Sequence, residues 1–270
     1  YIEKNTPKTK DPASANWNGN RNKYITSYLK AIYGAKATKE NDFGYAWLPK
    51  LDPGMAPSWL VLFDNMSRGK YKGFFAWGQN PACSGSNAGK VRKALGNLEW
   101  MVAVNLFDNE TASFWKGPGT DPAKVNTEVF FLPAAEVPEM DGTFTNTQRL
   151  VQAHDKAVDP PDDARSDTWF TYHLGKRLKA MYKDSTSPRD WAIRNVTWEY
   201  EPESQEVAAW RVKDEPSAYR ILKEINGYTV ADGKPLPTFA LLKEDGSTAC
   251  GAWIYTGVIP EEGKNRAASR

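Results

Sequence analysis

Two short, unbroken apolar runs limit what this chain can fold into more than any other feature of it. Gly73-Phe74-Phe75-Ala76-Trp77 and Trp100-Met101-Val102-Ala103-Val104 are too short for buried helices, and each stops abruptly, the first at Gly78-Gln79-Asn80-Pro81 and the second at Asn105. A strand wet on one face alternates polar and apolar residues, whereas a strand apolar at every position reads as buried on both faces. Between the runs, Val91, Ala94, Leu95 and Leu98 recur with helical spacing, with Arg92 and Lys93 turned the other way. Strand, helix and strand within about 35 residues predict a right-handed βαβ unit with parallel strands. A third run, Glu128-Val129-Phe130-Phe131-Leu132, ends at Pro133 and predicts a further strand. The fold class is therefore α/β.

The flanks are less regular. Residues 1–22 are polar and read as irregular, and Ile25, Tyr28, Leu29 and Ile32 predict a helix over 23–33 that Gly34 stops. A loop over 42–57 carries Pro49, Pro53 and Pro57, after which Ser58 caps a helix over 59–68 ended by Gly69. A helix over 169–182 is expected to turn Trp169, Tyr172, Leu174, Leu178 and Met181 inward. Beyond Ser185 the pattern weakens among Pro188, Pro202, Pro216, Pro235 and Pro237, with a short helix over 218–225. This divides the chain into a partial N-terminal flank (1–57), an α/β region (58–184) and a partial C-terminal extension (185–270).

Composition narrows the function classes. Net charge is +2 with acids and bases intermixed, so there is no basic stripe for nucleic-acid phosphates, and no nucleic-acid partner is expected. No run of ~18 apolar residues offers a membrane span. Cys83 and Cys250 are the sole cysteines and His154 and His173 the sole histidines. They are too few and too far apart for an iron-sulfur cluster or a structural zinc site; two free thiols and two packing histidines are expected. The 11 Trp and 12 Tyr suit either a thickly packed protein or an aromatic-rich glycan-binding module. The chain opens on Tyr1 without a Met and stops at Arg270 inside a polar stretch, and reads as a fragment.

Open parallel sheets bind ligands beyond the carboxyl ends of their strands, where strand order reverses. Two loops leave such ends here, 78–87 and 105–114. In the first, Gly78 allows a tight turn, Asn80 both donates and accepts, and Ala82, Ser84, Gly85 and Ser86 are small enough for backbone N–H groups to approach a ligand. The loop also opens a helix whose N-terminus favours a pyrophosphate. Asn105, Asn109 and Thr111 in the second could read a purine edge or ribose hydroxyls. The plain alternative is that Gly-Gln-Asn-Pro is a good turn, that Asn105 merely ends a strand, and that Thr111 caps a turn. Asp167 is either the N-cap of the following helix or a ligand contact. With no GxGxxG and no GxxxxGK[ST], ordinary NAD and ATP binding are disfavoured. No Ser/His/Asp set or carboxylate pair stands out, so no catalytic residue is assigned.

Taken in order, Gly78-Gln79-Asn80-Pro81, Val102-Ala103-Val104-Asn105, Asn109-Glu110-Thr111-Ala112, Leu132-Pro133-Ala134-Ala135, Asp141-Gly142-Thr143-Phe144-Thr145-Asn146-Thr147-Gln148-Arg149 and Ala164-Arg165-Ser166-Asp167 resemble the pattern of the molybdopterin oxidoreductases. The flanks, Asp42-Phe43-Gly44-Tyr45-Ala46-Trp47-Leu48-Pro49-Lys50, Ala112-Ser113-Phe114-Trp115 and Thr248-Ala249-Cys250-Gly251-Ala252-Trp253-Ile254-Tyr255, look like the large (alpha) subunit of formate dehydrogenases. The resemblance implies a Rossmann-like domain within a periplasmic enzyme that oxidises formate at molybdenum or tungsten. The metal would be held by two molybdopterin guanine dinucleotides (bis-MGD), with electrons leaving through a 4Fe-4S cluster to an iron-sulfur beta subunit and a membrane cytochrome b subunit. It also implies that the cysteine or selenocysteine ligand, its histidine and the cluster cysteines lie outside this stretch. Gly78, Asn80, Ser84, Asn105, Thr111 and Asp167 become the expected dinucleotide contacts, with Asn105 standing where many relatives have Asp. A nitrate reductase of the same family is the nearest rival.

Overall fold

The computed structural model describes residues 8–50, 58–146, 148, 150–202 and 212–268. In chain order these form α1 (Trp17–Tyr33), α2 (Trp59–Ser67), β1 (Gly73–Trp77), α3 (Pro81–Ser84), α4 (Ala88–Leu95), β2 (Trp100–Asn105), β3 (Glu128–Pro133), β4 (Gly142–Thr145), β5 (Val151–His154), α5 (Asp167–Met181), α6 (Trp191–Asn195), α7 (Ala218–Asn226), β6 (Tyr228–Thr229) and β7 (Thr248–Ala249), joined by 3-10 turns and loops. They fall into two units. One comprises Lys50–Met140 and Ala157–Phe170, the other Tyr1–Pro49, Asp141–Lys156 and Thr171–Arg270. The division departs from the linear one expected above: 141–156 and 171–184 group with the terminal segments rather than with the sheet.

The first unit is built on the expected βαβ unit. β1, β2 and β3 are parallel and lie in the order β1-β2-β3, with Gly73 opposite Trp100 and Trp100 opposite Glu128. Ser58 caps α2, its side chain accepting from the Val61 N–H. Phe63 and Met66 of α2 meet Val91, Ala94 and Leu95 of α4 over Met101 and Ala103 of β2, in a core closed by Leu98, Ala112 and Phe114. At roughly 1.5–3 kcal/mol per large apolar side chain, this cluster is the main apolar stabilisation of the unit. The strands are less buried than their composition suggested. In β1 only Ala76 is fully buried, and β3 is largely exposed, with Phe130 and Phe131 at 45% and 42%. Described helices cover one face, and β3 is an edge strand among the described residues.

The second unit depends more on polar satisfaction. α1 begins at Trp17, not in the twenties, because the Asn16 side chain caps it by accepting from the Asn18 N–H. Its end at Gly34 is as expected, with φ +53 placing that residue in the left-handed region. Where a loop was expected from 42, a 3-10 segment spans Lys39–Trp47, broken by positive φ at Asp42 and Phe43; Pro53 and Pro57 lie outside the described residues. β4 and β5 pair antiparallel, as do β6 and β7. α5 keeps Tyr172 and Gly175 buried but leaves Met181 78% exposed. Its apolar residues do not share one stripe, and contact is made at Gly175, where a Cβ would lie 2.2 Å from the Trp198 ring.

Asn226 at the end of α7 is fully buried and uses its whole carboxamide. Oδ1 accepts from the Gly257 and Ile259 amides (2.7 and 2.9 Å), and Nδ2 donates to the Gly227 and Leu236 carbonyls (2.8 and 3.2 Å). One side chain thus ties the end of α7 to the chain at Leu236 and at Gly257 and Ile259. Asn226→Ala strands two buried N–H groups, each costing about 1–3 kcal/mol, and should lower unfolding free energy by roughly 2–5 kcal/mol in urea titrations followed by Trp fluorescence.

On the same helix, Glu224 accepts from the Tyr200 hydroxyl at 2.8 Å, and burial pushes its carboxyl up to about 7. A carboxyl with a raised folded pKa keeps its proton after the unfolded chain has lost it. Stability therefore falls as pH rises from about 4.5 towards 7, and the penalty is fully present above that. Its ceiling is about 3 kcal/mol, at about 1.4 kcal/mol per unit. Glu224→Gln keeps an acceptor for Tyr200 and should flatten this part of the stability-versus-pH curve, gaining over the parent at pH 8 and not at pH 4.5; chemical denaturation at the two pH values checks it.

Candidate functional site

At the end of β1 the chain turns at Gly78, whose φ of +57 is strained for any residue with a Cβ, and the space where a Cβ would stand is open. The turn is held by the Gly78 N–H, which donates to the Val104 carbonyl at 2.9 Å. That amide is committed to the ladder; what Gly78 offers a ligand is unobstructed approach.

Asn80 comes next, immediately before α3. Its Oδ1 accepts from the Thr111 amide (3.2 Å) and the Thr111 hydroxyl (2.9 Å), while Nδ2 donates to Glu110 Oε2 at 2.6 Å. The Thr111 oxygen in turn accepts from the Ala82 N–H at 3.0 Å, and Thr111 is 0% exposed. Two loops that leave neighbouring parallel strands are thus fastened by one carboxamide and one hydroxyl. The Asn80 bond holds the Glu110 carboxyl below the usual carboxylate range. Ser84 closes α3 by donating its hydroxyl to the Asn80 carbonyl at 3.0 Å. Asn105, half-buried at the end of β2, accepts from the Leu106 amide at 2.9 Å and reaches the Gln79 carbonyl with Nδ2 at 3.5 Å.

The third wall comes from residues before α5. Ala135 N–H donates to the Arg165 carbonyl (2.8 Å) and Arg165 N–H to the Pro133 carbonyl (3.3 Å), so this segment runs alongside the end of β3. The Trp77 and Phe170 rings, 5.6 Å apart, set the start of α5 beside the end of β1. Asp167 is not the N-cap. The Ser166 hydroxyl accepts from the Trp169 N–H at 2.8 Å, one residue earlier than expected, and Asp167 is the first helical residue. It is exposed, yet the protein bulk beside its carboxyl raises its pKa.

All six expected residues therefore sit at one edge of one sheet. Among the described residues the strand order β1-β2-β3 contains no reversal, and the loops are drawn together by the Asn80–Thr111 tie. Asn80, Ser84 and Thr111 are engaged in holding the loops; Asn105 and Asp167 are the accessible polar groups. Two further donors stand here that the hydropathy pattern could not reveal. Trp77 Nε1 and Arg165 Nε are buried with no hydrogen-bond partner, which is rare enough in folded proteins to point to an acceptor supplied from elsewhere. Arg165 lies inside the Ala164-Arg165-Ser166-Asp167 stretch, whose sequence marks Asp167 as the polar group at a helix start and leaves Arg165 indistinguishable from a solvated surface arginine.

Among the described residues, no group of His, Cys, Asp and Glu is arranged to hold a metal ion. Both cysteines are free, Cys83 exposed and Cys250 buried with its thiol pushed up to about 11. In the other unit His154 stacks on Phe144 and His173 bonds the Asp214 carbonyl. No described helix is long and apolar enough to cross a membrane.

A family model described as molybdopterin oxidoreductase matches residues 120–177. Formate dehydrogenase subunit alpha of Megalodesulfovibrio gigas is 42% identical over 100% of this chain, which covers 26% of that protein. The formate dehydrogenase-O major subunit of Escherichia coli is 34% identical over 99% of the chain, covering 27% of it. The assimilatory nitrate reductase catalytic subunit of Bacillus subtilis aligns at 33% identity with only 51% of the chain. The chain spans about a quarter of the length of the formate dehydrogenase subunits it matches.

Thr111→Val keeps the shape of the side chain and removes the hydroxyl, leaving the buried Ala82 amide without its acceptor. Loss of roughly 1–3 kcal/mol is expected, read as a lower urea midpoint at unchanged slope; an unchanged midpoint would mean that the two loops are not held by this bond.

Proposed function

We propose that this chain, which belongs with the molybdopterin oxidoreductases and is related over its whole length to formate dehydrogenase large subunits, is the part of such a subunit that seats one pterin guanine dinucleotide at the carboxyl edge of β1, β2 and β3. The complete protein oxidises formate to carbon dioxide. The observation that carries the reading is the extent of the match: formate dehydrogenase large subunits align with essentially the whole chain, flanks included, whereas the nitrate reductase, like some more distant formate dehydrogenases, aligns with about half of it. The finer reading is a bis-MGD centre of molybdenum or tungsten, a 4Fe-4S cluster in the same subunit, an iron-sulfur beta subunit and a cytochrome b subunit as partners, and a periplasmic location.

The residues at the edge fit a nucleotide end. The open side of Gly78 admits a bulky group close to the backbone, and Trp77 Nε1 and Arg165 Nε are buried donors in want of acceptors. Asn105 and Asp167 would contact the nucleoside, while Asn80, Ser84 and Thr111 keep the loops in place around it. When bound, the pterin-held metal supplies the two-electron chemistry. In this reading the chain's own share is to bind and position the dinucleotide.

Asp167 gives the test. A carboxylate makes charge-assisted bonds to guanine N–H donors that an amide only partly reproduces. In the full-length subunit, Asp167→Asn should leave the melting temperature of the cofactor-free form unchanged and lower the GMP released by acid hydrolysis per subunit. Ser166→Ala, which removes the cap, should lower stability by about 0.5–2 kcal/mol. Full GMP content in the Asn variant would remove Asp167 from the site, and a wild-type subunit that releases no guanine nucleotide would overturn the reading itself.

A further inference from the structure

Arg165 carries a buried Nε donor with no partner among the described residues. The backbone on both sides of its residue is fixed on the end of β3, so its Cα is placed by the sheet. Its guanidinium lies over the Trp169 ring at 5.5 Å. Both of the bonds it makes leave from Nη1, to the Ala164 carbonyl at 2.9 Å and the Asp162 carbonyl at 3.4 Å. Nε is buried and unsatisfied, and no carboxylate of the described residues forms an ion pair with the group. The Nε–Nη2 side of the guanidinium is a planar fork of two parallel donors, suited to a ligand edge that carries two neighbouring acceptors.

Position decides which edge that is. In a parallel sheet that holds a nucleotide at its carboxyl end, the phosphates lie at the loop after the first strand and the ribose beside the residue ending the second. Here those places are 78–87 and Asn105, and Arg165 stands one strand further, against the end of β3. The base is the part that reaches there. Guanine offers O6 and N7 as adjacent acceptors, the pair that an arginine fork reads bidentately, whereas adenine places an N–H donor at position 6.

We propose that Arg165 is the residue that selects guanine, its Nε and Nη2 donating to N7 and O6. The inference rests on the dinucleotide reading above. The long stem lets the fork swing out over Trp169 at the loss of the two loop-carbonyl bonds. Asp167, two residues on, then faces the opposite chemistry of the base, its N1–H and N2–H donors, so one short segment carries complementary acceptor-reading and donor-reading groups. This also accounts for how a site with Asn105, whose amide oxygen accepts less well than a carboxylate, retains selectivity.

The probes are GDP, ADP and 7-deaza-GDP, titrated into cofactor-depleted full-length subunit, with GMP content of the loaded subunit measured in parallel. Wild type should prefer GDP over 7-deaza-GDP by roughly tenfold, within the range of a bidentate arginine contact, and over ADP by more. Arg165→Gln lacks both the charge and the fork, so it should bind GDP and 7-deaza-GDP alike, with the melting transition of the cofactor-free subunit showing that the variant is folded. Equal binding of GDP and 7-deaza-GDP by wild type overturns the role of Arg165 while leaving the dinucleotide reading intact. So does discrimination that survives in Arg165→Gln. Absence of releasable GMP from the loaded wild-type subunit overturns the dinucleotide reading, and this inference with it.

Discussion

The carboxyl edge of this sheet depends on the bond set between Asn80 and Thr111. Parallel strands cannot be joined by a tight turn, so the loops leaving β1 and β2 begin as neighbours but run on without a shared ladder. The carboxamide of Asn80 supplies what the backbone does not. It accepts twice from Thr111 and donates to Glu110, and Thr111 passes the connection on to the first turn of α3 through the Ala82 amide. Because Thr111 is wholly buried, the Ala82 bond to its hydroxyl forms in a low-dielectric setting where an unmade one is expensive, while the Asn80–Glu110 bond lies at the exposed end of the set. Ser84 joins the same set through the Asn80 carbonyl.

What hydropathy could show, it showed: three apolar runs became three parallel strands, and the Val91, Ala94 and Leu95 face became the core side of α4. The Ser58 cap and the Gly34 stop were also legible, since each rests on the chemistry of one residue. The misses share a cause. Asn20, inside the supposedly irregular N-terminal stretch, is nearly buried because its carboxamide bonds the carbonyls of Asp11, Ser14 and Asn16. No polarity scale distinguishes such a residue from a solvated one, because burial of a polar group is decided by its partners. Met181 failed in the opposite sense, an apolar residue at a helix end with nothing described to cover it.

The same distinction separates the two units. The one containing the sheet is held by a single apolar cluster. The other has three smaller clusters, around Tyr24, Leu29 and Leu222, and much of its chain is irregular. There the Asn226 carboxamide, and the Ser27 hydroxyl against Thr248 at 2.9 Å, do the joining that strands do elsewhere. A segment punctuated by prolines has few ladder bonds to offer. Buried side-chain amides and hydroxyls are then the means by which its carbonyls and amides are satisfied.

At the site, two exposed carboxylates of the edge, Glu110 and Asp167, are set in opposite directions by their surroundings. Glu110 is held below its usual range because the Asn80 amide already donates to it, so its charge is engaged in keeping the loops together. Asp167 is raised because nearby protein displaces water from a carboxyl that gains no compensating donor. A group in the second condition gains most from a ligand that brings N–H donors, since such a ligand restores what desolvation removed. The converse holds for Arg165, whose enclosed Nε lacks an acceptor. An acid short of donors and a base short of acceptors, two residues apart, are the complement of a group that carries both along one edge, and a nucleobase is such a group.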